Sequence, residues 1–187
     1  MAKKKIILAS GSPRRKELLN YITDDFTVIP SSLEETAYGT PEQQTIKLAK
    51  DKALDVASHY PDAVVIGADT LVAIDGNVLG KPKDRKEAAA MLRMLSGRTH
   101  TVYTGVAIVN GKEVITECVA TEVEFGDMTN EEIADYIKTG EPMDKAGAYG
   151  IQGYCGKFIK RIDGCYFNVM GLPQNTVYNM LKRTGAL

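Results

Sequence analysis

Six consecutive residues, Ser10-Gly11-Ser12-Pro13-Arg14-Arg15, place two hydroxyls and two guanidiniums where a short apolar run gives way to a helix start. Ser12 reads as the N-cap and Pro13 as the first helical residue, so the first backbone N–H groups lack intrahelical partners and the positive end of the helix dipole faces outward. Arginine in a first turn opposes that dipole. Two of them are better explained by an anionic ligand than by a solvated surface.

A second candidate is Gly67-Ala68-Asp69-Thr70, which follows the apolar run Ala63-Val64-Val65-Ile66. Read as a buried strand over 63–68, this run delivers Asp69 to a carboxyl end, where open α/β sheets bind ligands and a carboxylate can hold a metal or act as a general base. Lys52, Lys81 and Lys145 are cationic candidates, although most lysines are simply solvated. Lys81 is braced by Gly80 and Pro82, and Lys145 opens a cluster of glycines at 140, 147, 150, 153, 156, 164 and 171. Such clustering suits tight turns and close backbone approach equally. Glu34 and Glu35 lie in a polar loop over 31–40, solvated unless that loop folds over the anion site.

The elements that must carry these groups follow from periodicity and caps. Strands are expected over 5–10, 26–30 and 63–68, and helices from Ser12 to about residue 22 and over 41–59. A hairpin is expected over 71–80 around Gly76-Asn77, then an amphipathic helix over 84–95 ended by Gly97. Two β-rich runs, 99–109 and 113–125, flank Asn110-Gly111. Thr129 and Glu132 form a capping box for a helix over 129–138. Further β-like stretches at 157–162 and 166–169 precede a last helix over 173–182. Strands and helices alternate without a linker or repeat, so a single mixed α/β domain over 1–187 is expected.

Composition narrows the chemistry. The 187 residues carry 23 Lys plus Arg against 24 Asp plus Glu, a net charge of −1, which disfavours non-specific coating of nucleic acid. The absence of tryptophan and the presence of only 4 phenylalanines leave few stacking platforms for bases. Three cysteines (Cys118, Cys155 and Cys165) without a CxxC pair, and two histidines (His59 and His100), encode neither a disulfide framework nor a zinc knuckle. A catalytic metal would therefore be a hard cation, Mg²⁺ or Mn²⁺, held by carboxylates and substrate oxygens. Lys3-Lys4-Lys5 before Ile6-Ile7-Leu8-Ala9 has the charge of a signal peptide but too short an apolar run, and no later segment could span a bilayer. A cytoplasmic protein is expected. Walker, GxGxxG, GxSxG and HExxH motifs are all missing.

Taken together, SGSPRR at 10–15, GADT at 67–70, Gly80-Lys81-Pro82, Leu95-Ser96-Gly97 and DKAGAYGIQG at 144–153 resemble, in order and spacing, the Maf nucleoside triphosphate pyrophosphatases. The resemblance spans nearly the whole chain. It implies an elongated mixed β-sheet with flanking helices, related to inosine triphosphate pyrophosphatases, with two lobes around a cleft. It also implies cleavage of a nucleoside triphosphate between the α and β phosphates, a homodimer, and an association with arrest of cell division.

Carried over by position, the resemblance makes Asp69 the proton acceptor for the attacking water and, with Glu35 or its neighbour Glu34, a ligand of a divalent metal. Arg15, Lys52 and Lys81 become the phosphate clamp, assisted by Ser10 and Ser12. Arg14, Thr70 and Gln152 occupy the positions on which base choice turns, and this set resembles the dTTP/UTP branch. A glutamine amide donates and accepts, matching the O4 and N3–H edge of uracil or thymine. The branch acting on 7-methyl-GTP tends to carry an aromatic residue in place of Arg14 and an acid in place of Gln152. The alternatives are thus a 7-methyl-GTP pyrophosphatase, or a nucleotide-sensing regulator of division without chemistry.

Overall fold

Ile6–Leu8, wholly buried, form strand β1 of the computed structural model, which describes residues 4–187. Lys3 of the lysine run lies outside the described residues, while Lys4 Nζ donates to Asn110 Oδ1 at 2.6 Å. Helix α1 (Pro13–Asn20) starts at Ser12, whose hydroxyl accepts from the Arg15 amide. Strand β2 (Phe26–Val28) follows, then helix α2 (Pro41–His59), opened by a reciprocal capping box between Thr40 and Gln43.

β3 (Val64–Ile74) is longer than its sequence suggests. It runs through GADT without a break, so Asp69 sits inside a strand and not at a carboxyl end. The alternating small and β-branched residues after Asp69 continue the pleat, and β4 (Asn77–Leu79) pairs back onto it antiparallel. The two-residue turn is Asp75-Gly76, one position earlier than expected. Both residues have positive φ, 50° and 76°, as the hairpin turn that matches strand twist requires.

Helix α3 (Arg85–Leu95) is capped by Asp84, and β5 (Thr99–Asn110) and β6 (Glu113–Phe125) form the long hairpin. Helix α4 (Asn130–Lys138) carries the expected Thr129–Glu132 capping box. Three short 3-10 turns, Glu141–Asp144, Ala146–Ala148 and Tyr154–Phe158, occupy the glycine cluster before β7 (Ile159–Asp163).

The stretch 166–169, expected to be β-like, is instead helical as α5 (Tyr166–Met170). Its Tyr, Phe and Val favour strands only when a pleated partner is available. Here the chain is turned by Gly164 at φ 130°, and Asn168 Nδ2 is drawn inward to donate to Val102 O at 3.0 Å and Thr121 Oγ1 at 2.9 Å. Helix α6 (Gln174–Arg183) closes the chain.

The strands form one seven-stranded mixed sheet in the order β2-β1-β3-β5-β6-β7, with β4 on β3. β1 pairs parallel with both β2 and β3, whereas β6 and β7 are antiparallel. The chain divides into two compact units, one of residues 4–69, 104–119 and 171–187, the other of 70–103 and 120–170.

In the first unit, Ile7 and Val65 pack with Ala49, Ala53 and Val56 of α2. Two glycines seat that helix. A Cβ on Gly67 would meet the Ala49 carbonyl oxygen and lie 2.9 Å from Ala53 N, and one on Gly105 would meet the Thr45 backbone. In the second unit, α3 and α4 cover Val102, Val123 and Phe125. At its centre His100, 2% exposed, packs edge-on to Phe125 and Tyr149 and lies 2.7 Å from the Tyr149 hydroxyl. Burial pushes this imidazole down to about 4.

Candidate active site

The close seating of α2 on β3 has a consequence two residues along the strand. Side chains two apart share a face, so Asp69 points to the same side as Gly67, toward the turn of α2 that carries Lys52. Lys52 Nζ donates to Asp69 Oδ1 at 2.7 Å and lies 2.8 Å from Glu35 Oε1. The Lys52 side chain is 15% exposed and Glu35 is 56% exposed, so the loop over 31–40 does reach the site through Glu35. Asp69 Oδ2 is buried without a hydrogen-bond partner.

Burial raises the Asp69 carboxyl above its ordinary value, and the Lys52 ammonium and the Arg15 guanidinium oppose that rise. The outcome is a carboxylate more basic than an exposed one, with one oxygen held and one available. Arg15 is part of the same electrostatic group. Its Nε donates to Gly171 O at 2.8 Å and an Nη to Ser10 Oγ at 3.1 Å, and the Ser12 amide also donates to Ser10 Oγ. Burial lowers the Arg15 pKa and Asp69 raises it; a guanidinium there stays charged. Ser10, Ser12, Arg14, Arg15, Glu35, Lys52 and Asp69 thus all belong to the first unit.

Thr70, Lys81 and Gln152 belong to the second. There, two sequence motifs meet: the Gly147 amide donates to Gly80 O at 3.0 Å, tying the DKAGAYGIQG segment to the strand end that carries Lys81. Lys145, 13% exposed, is anchored to Glu141 O at 2.7 Å and Asp144 Oδ1 at 2.8 Å. Its partners are protein groups within its own segment. Gln152 Oε1 is buried without a hydrogen-bond partner.

Among the described residues, no three His, Cys, Asp or Glu side chains converge as a self-sufficient metal cage. Two carboxylates nevertheless converge on one cation, the Lys52 ammonium, and a buried Asp69 oxygen is left over. Such an incomplete, all-oxygen donor set fits a hard divalent ion that takes its remaining ligands from phosphate and water.

Sequence reasoning missed Tyr136 and Glu141, whose side chains hold the backbone of the glycine-rich segment. Gly140-Glu141-Pro142 looks like an ordinary turn, and nothing local marks Glu141 as a hub.

A seven-stranded mixed sheet with flanking helices, carrying an arginine-and-serine helix start and a lysine-bridged carboxylate pair, defines a mixed α/β protein. Solved structures share the fold. The Staphylococcus aureus Ham1 protein superposes with a TM-score of 0.53 at 16% identity, covering 96% of this chain and 99% of that one. A HAM1 protein from Coxiella burnetii gives 0.53 at 15% identity over the same shares. Residues 5–184 match the Maf-like protein family, and the chain belongs to it. A Geobacillus protein called dTTP/UTP pyrophosphatase is 55% identical over 97% of this chain and 99% of its own length. One of the same name from Koribacter versatilis is 52% identical over 97% and 95%.

Proposed function

We propose that this chain hydrolyses dTTP and UTP to the monophosphate and pyrophosphate, as a single Maf-like domain over 1–187. The observation that carries the chemistry is Asp69, buried, with one oxygen held by Lys52 and the other without a partner. The names and full-length similarity of the Geobacillus and Koribacter proteins supply the reaction.

In this reading Asp69 Oδ2 takes the proton of a water whose oxygen attacks phosphorus. A P–O bond forms, the bond to the bridging oxygen between the α and β phosphates breaks, and its electron pair leaves with pyrophosphate. Arg15, Lys52 and Lys81 balance the negative charge of the phosphates, with Ser10 and Ser12 donating at the helix start. Glu35 and Asp69 would hold a divalent cation, Mg²⁺ or Mn²⁺, which supplies charge neutralisation at the leaving group. Arg14, Thr70 and Gln152 select the base, the amide of Gln152 matching a uracil or thymine edge.

A cytoplasmic homodimer that also removes modified pyrimidine triphosphates and acts in division arrest completes the proposal; no helix among the described residues is long and apolar enough to cross a membrane. The test is pyrophosphate release from a triphosphate panel with Mg²⁺ or Mn²⁺. Turnover of UTP and dTTP, lost on chelation and in Asp69→Asn, is expected. Preference for 7-methyl-GTP, or UTP binding without product, would overturn it.

A further inference from the structure

Two residues outside the site described above hold the segment that carries Gln152. Tyr136, 4% exposed, lies near the end of α4. Its hydroxyl donates to Glu141 Oε1 at 2.8 Å and accepts from the Gly150 amide at 3.2 Å. The other carboxylate oxygen, Glu141 Oε2, accepts from the Tyr154 amide at 3.3 Å. The two captured amides stand two residues before and two residues after Gln152. Lys145 Nζ adds a third tie by donating to Glu141 O at 2.7 Å.

Two glycines of this segment leave room for Glu141 and for Lys145. Gly153 has φ +98°, and a Cβ there would lie 2.8 Å from Glu141 Oε2; one on Gly150 would lie 2.9 Å from Lys145 Cε. Burial pushes the Tyr136 hydroxyl up, so it stays protonated and remains a donor to Glu141.

We propose that Tyr136 and Glu141 are positioning residues that clamp the backbone on both sides of Gln152 and thereby set pyrimidine selectivity. The inference rests on the reading of Gln152 as the base-selecting residue. Its physical basis is the symmetry of a carboxamide. Rotated by half a turn, the amide exchanges donor and acceptor and would serve the N4 amine and N3 of cytosine as well as the O4 and N3–H of uracil. A Gln152 on a mobile backbone accepts both bases. One held by its flanking amides presents the carboxamide from one fixed Cα position, so that only the orientation that suits uracil reaches the base edge, and selectivity comes from leaving a buried group unpaired against the wrong base.

The experiment compares kcat and KM for UTP and CTP in the full-length protein and in Tyr136→Phe, Glu141→Gln and Gln152→Ala. It is run beside thermal melts and hydrogen exchange at the Gly150 and Tyr154 amides. Expected in the first two variants is a fall of about tenfold in the UTP-to-CTP ratio of kcat/KM. This fall would be carried by KM, with kcat on UTP within about threefold of the parent, and with faster exchange at the Gly150 amide in Tyr136→Phe and at the Tyr154 amide in Glu141→Gln. Glu141→Gln keeps an oxygen for Tyr136 and serves where Tyr136→Phe folds poorly. If both variants keep the parental ratio while Gln152→Ala loses it, the clamp is overturned and the base-selecting role of Gln152 stands. A parental ratio in Gln152→Ala overturns both.

Discussion

Lys52 Nζ donates to Asp69 Oδ1 at 2.7 Å, while Asp69 Oδ2, on the same buried carboxylate, has no hydrogen-bond partner. One ammonium therefore does two opposing things. It stabilises the charged form of a group that burial would protonate, and it leaves the second oxygen free to accept a proton. Reactivity at this point depends on the balance between desolvation and the cations beside it, Lys52 first and Arg15 after it.

Removing the base tests that balance first. Asp69→Asn is expected to lower kcat for pyrophosphate release by about 10²- to 10⁴-fold, the range for loss of a general base. Because burial raises the Asp69 pKa, the folded chain binds this proton more tightly than the unfolded one. The group's contribution to stability accordingly falls as pH rises from the ordinary carboxylate value through the raised one. Asp69→Asn should therefore keep or raise the melting temperature at pH 7, separating lost chemistry from lost fold.

Lys52→Met acts on the same group through its neighbour. Lys52 lowers the Asp69 pKa against burial, so its removal moves the acid limb of the kcat profile to higher pH. A limb that stays in place or moves to lower pH would contradict the assignment of Asp69 as the base. The measurement is initial rate against pH with saturating UTP.

His100 predicts an acid-side loss of stability unrelated to catalysis. Burial pushes it down to about 4 from an ordinary 6.5, so the unfolded chain binds the proton more readily between those values. Its contribution is fully present above pH 6.5 and declines as pH falls toward 4, by about 3 kcal/mol at most. Urea unfolding across this range should show the slope, and His100→Gln should flatten it.

The seating of α2 is open to a direct test. A Cβ at Gly67 would collide with the Ala49 carbonyl and the Ala53 amide, and both are backbone groups that cannot rotate away. Gly67→Ala is expected to cost about 3 kcal/mol or more in denaturant unfolding, in the upper part of the range for overpacking. Gly111→Ala, with open space around it but φ +62°, should cost only about 1 kcal/mol.

Local signals carried much of the fold. Thr129 with Glu132, and Ser12 before Pro13, mark two helix starts that the structure reproduces, because a cap is satisfied within four residues and needs no distant partner. The errors lie where a distant partner decides. Tyr166–Met170 is helical because Asn168 reaches Val102 and Thr121. β3 continues past Asp69 because β4 returns to pair with its far end. At the site, residue types pointed to Asp69 and Arg15, yet nothing near Lys52 distinguished it from other helical lysines apart from the family resemblance, and Tyr136 and Glu141 left no trace.

By itself, then, the sequence determined which groups are available: a serine-and-arginine helix start, one strand aspartate, an amide in a glycine-rich segment, and too few histidines and cysteines for a soft metal. It also determined family membership, which rests on the order of those motifs. Only the tertiary structure decided which groups meet. Lys52 reaches Asp69 across 17 residues of chain and Arg15 reaches Gly171 across 156. The first contact exists because Gly67 lets helix and strand backbones approach closely enough for a lysine to span them. Such contacts depend on close packing between elements, a property of the assembled core that no local pattern encodes.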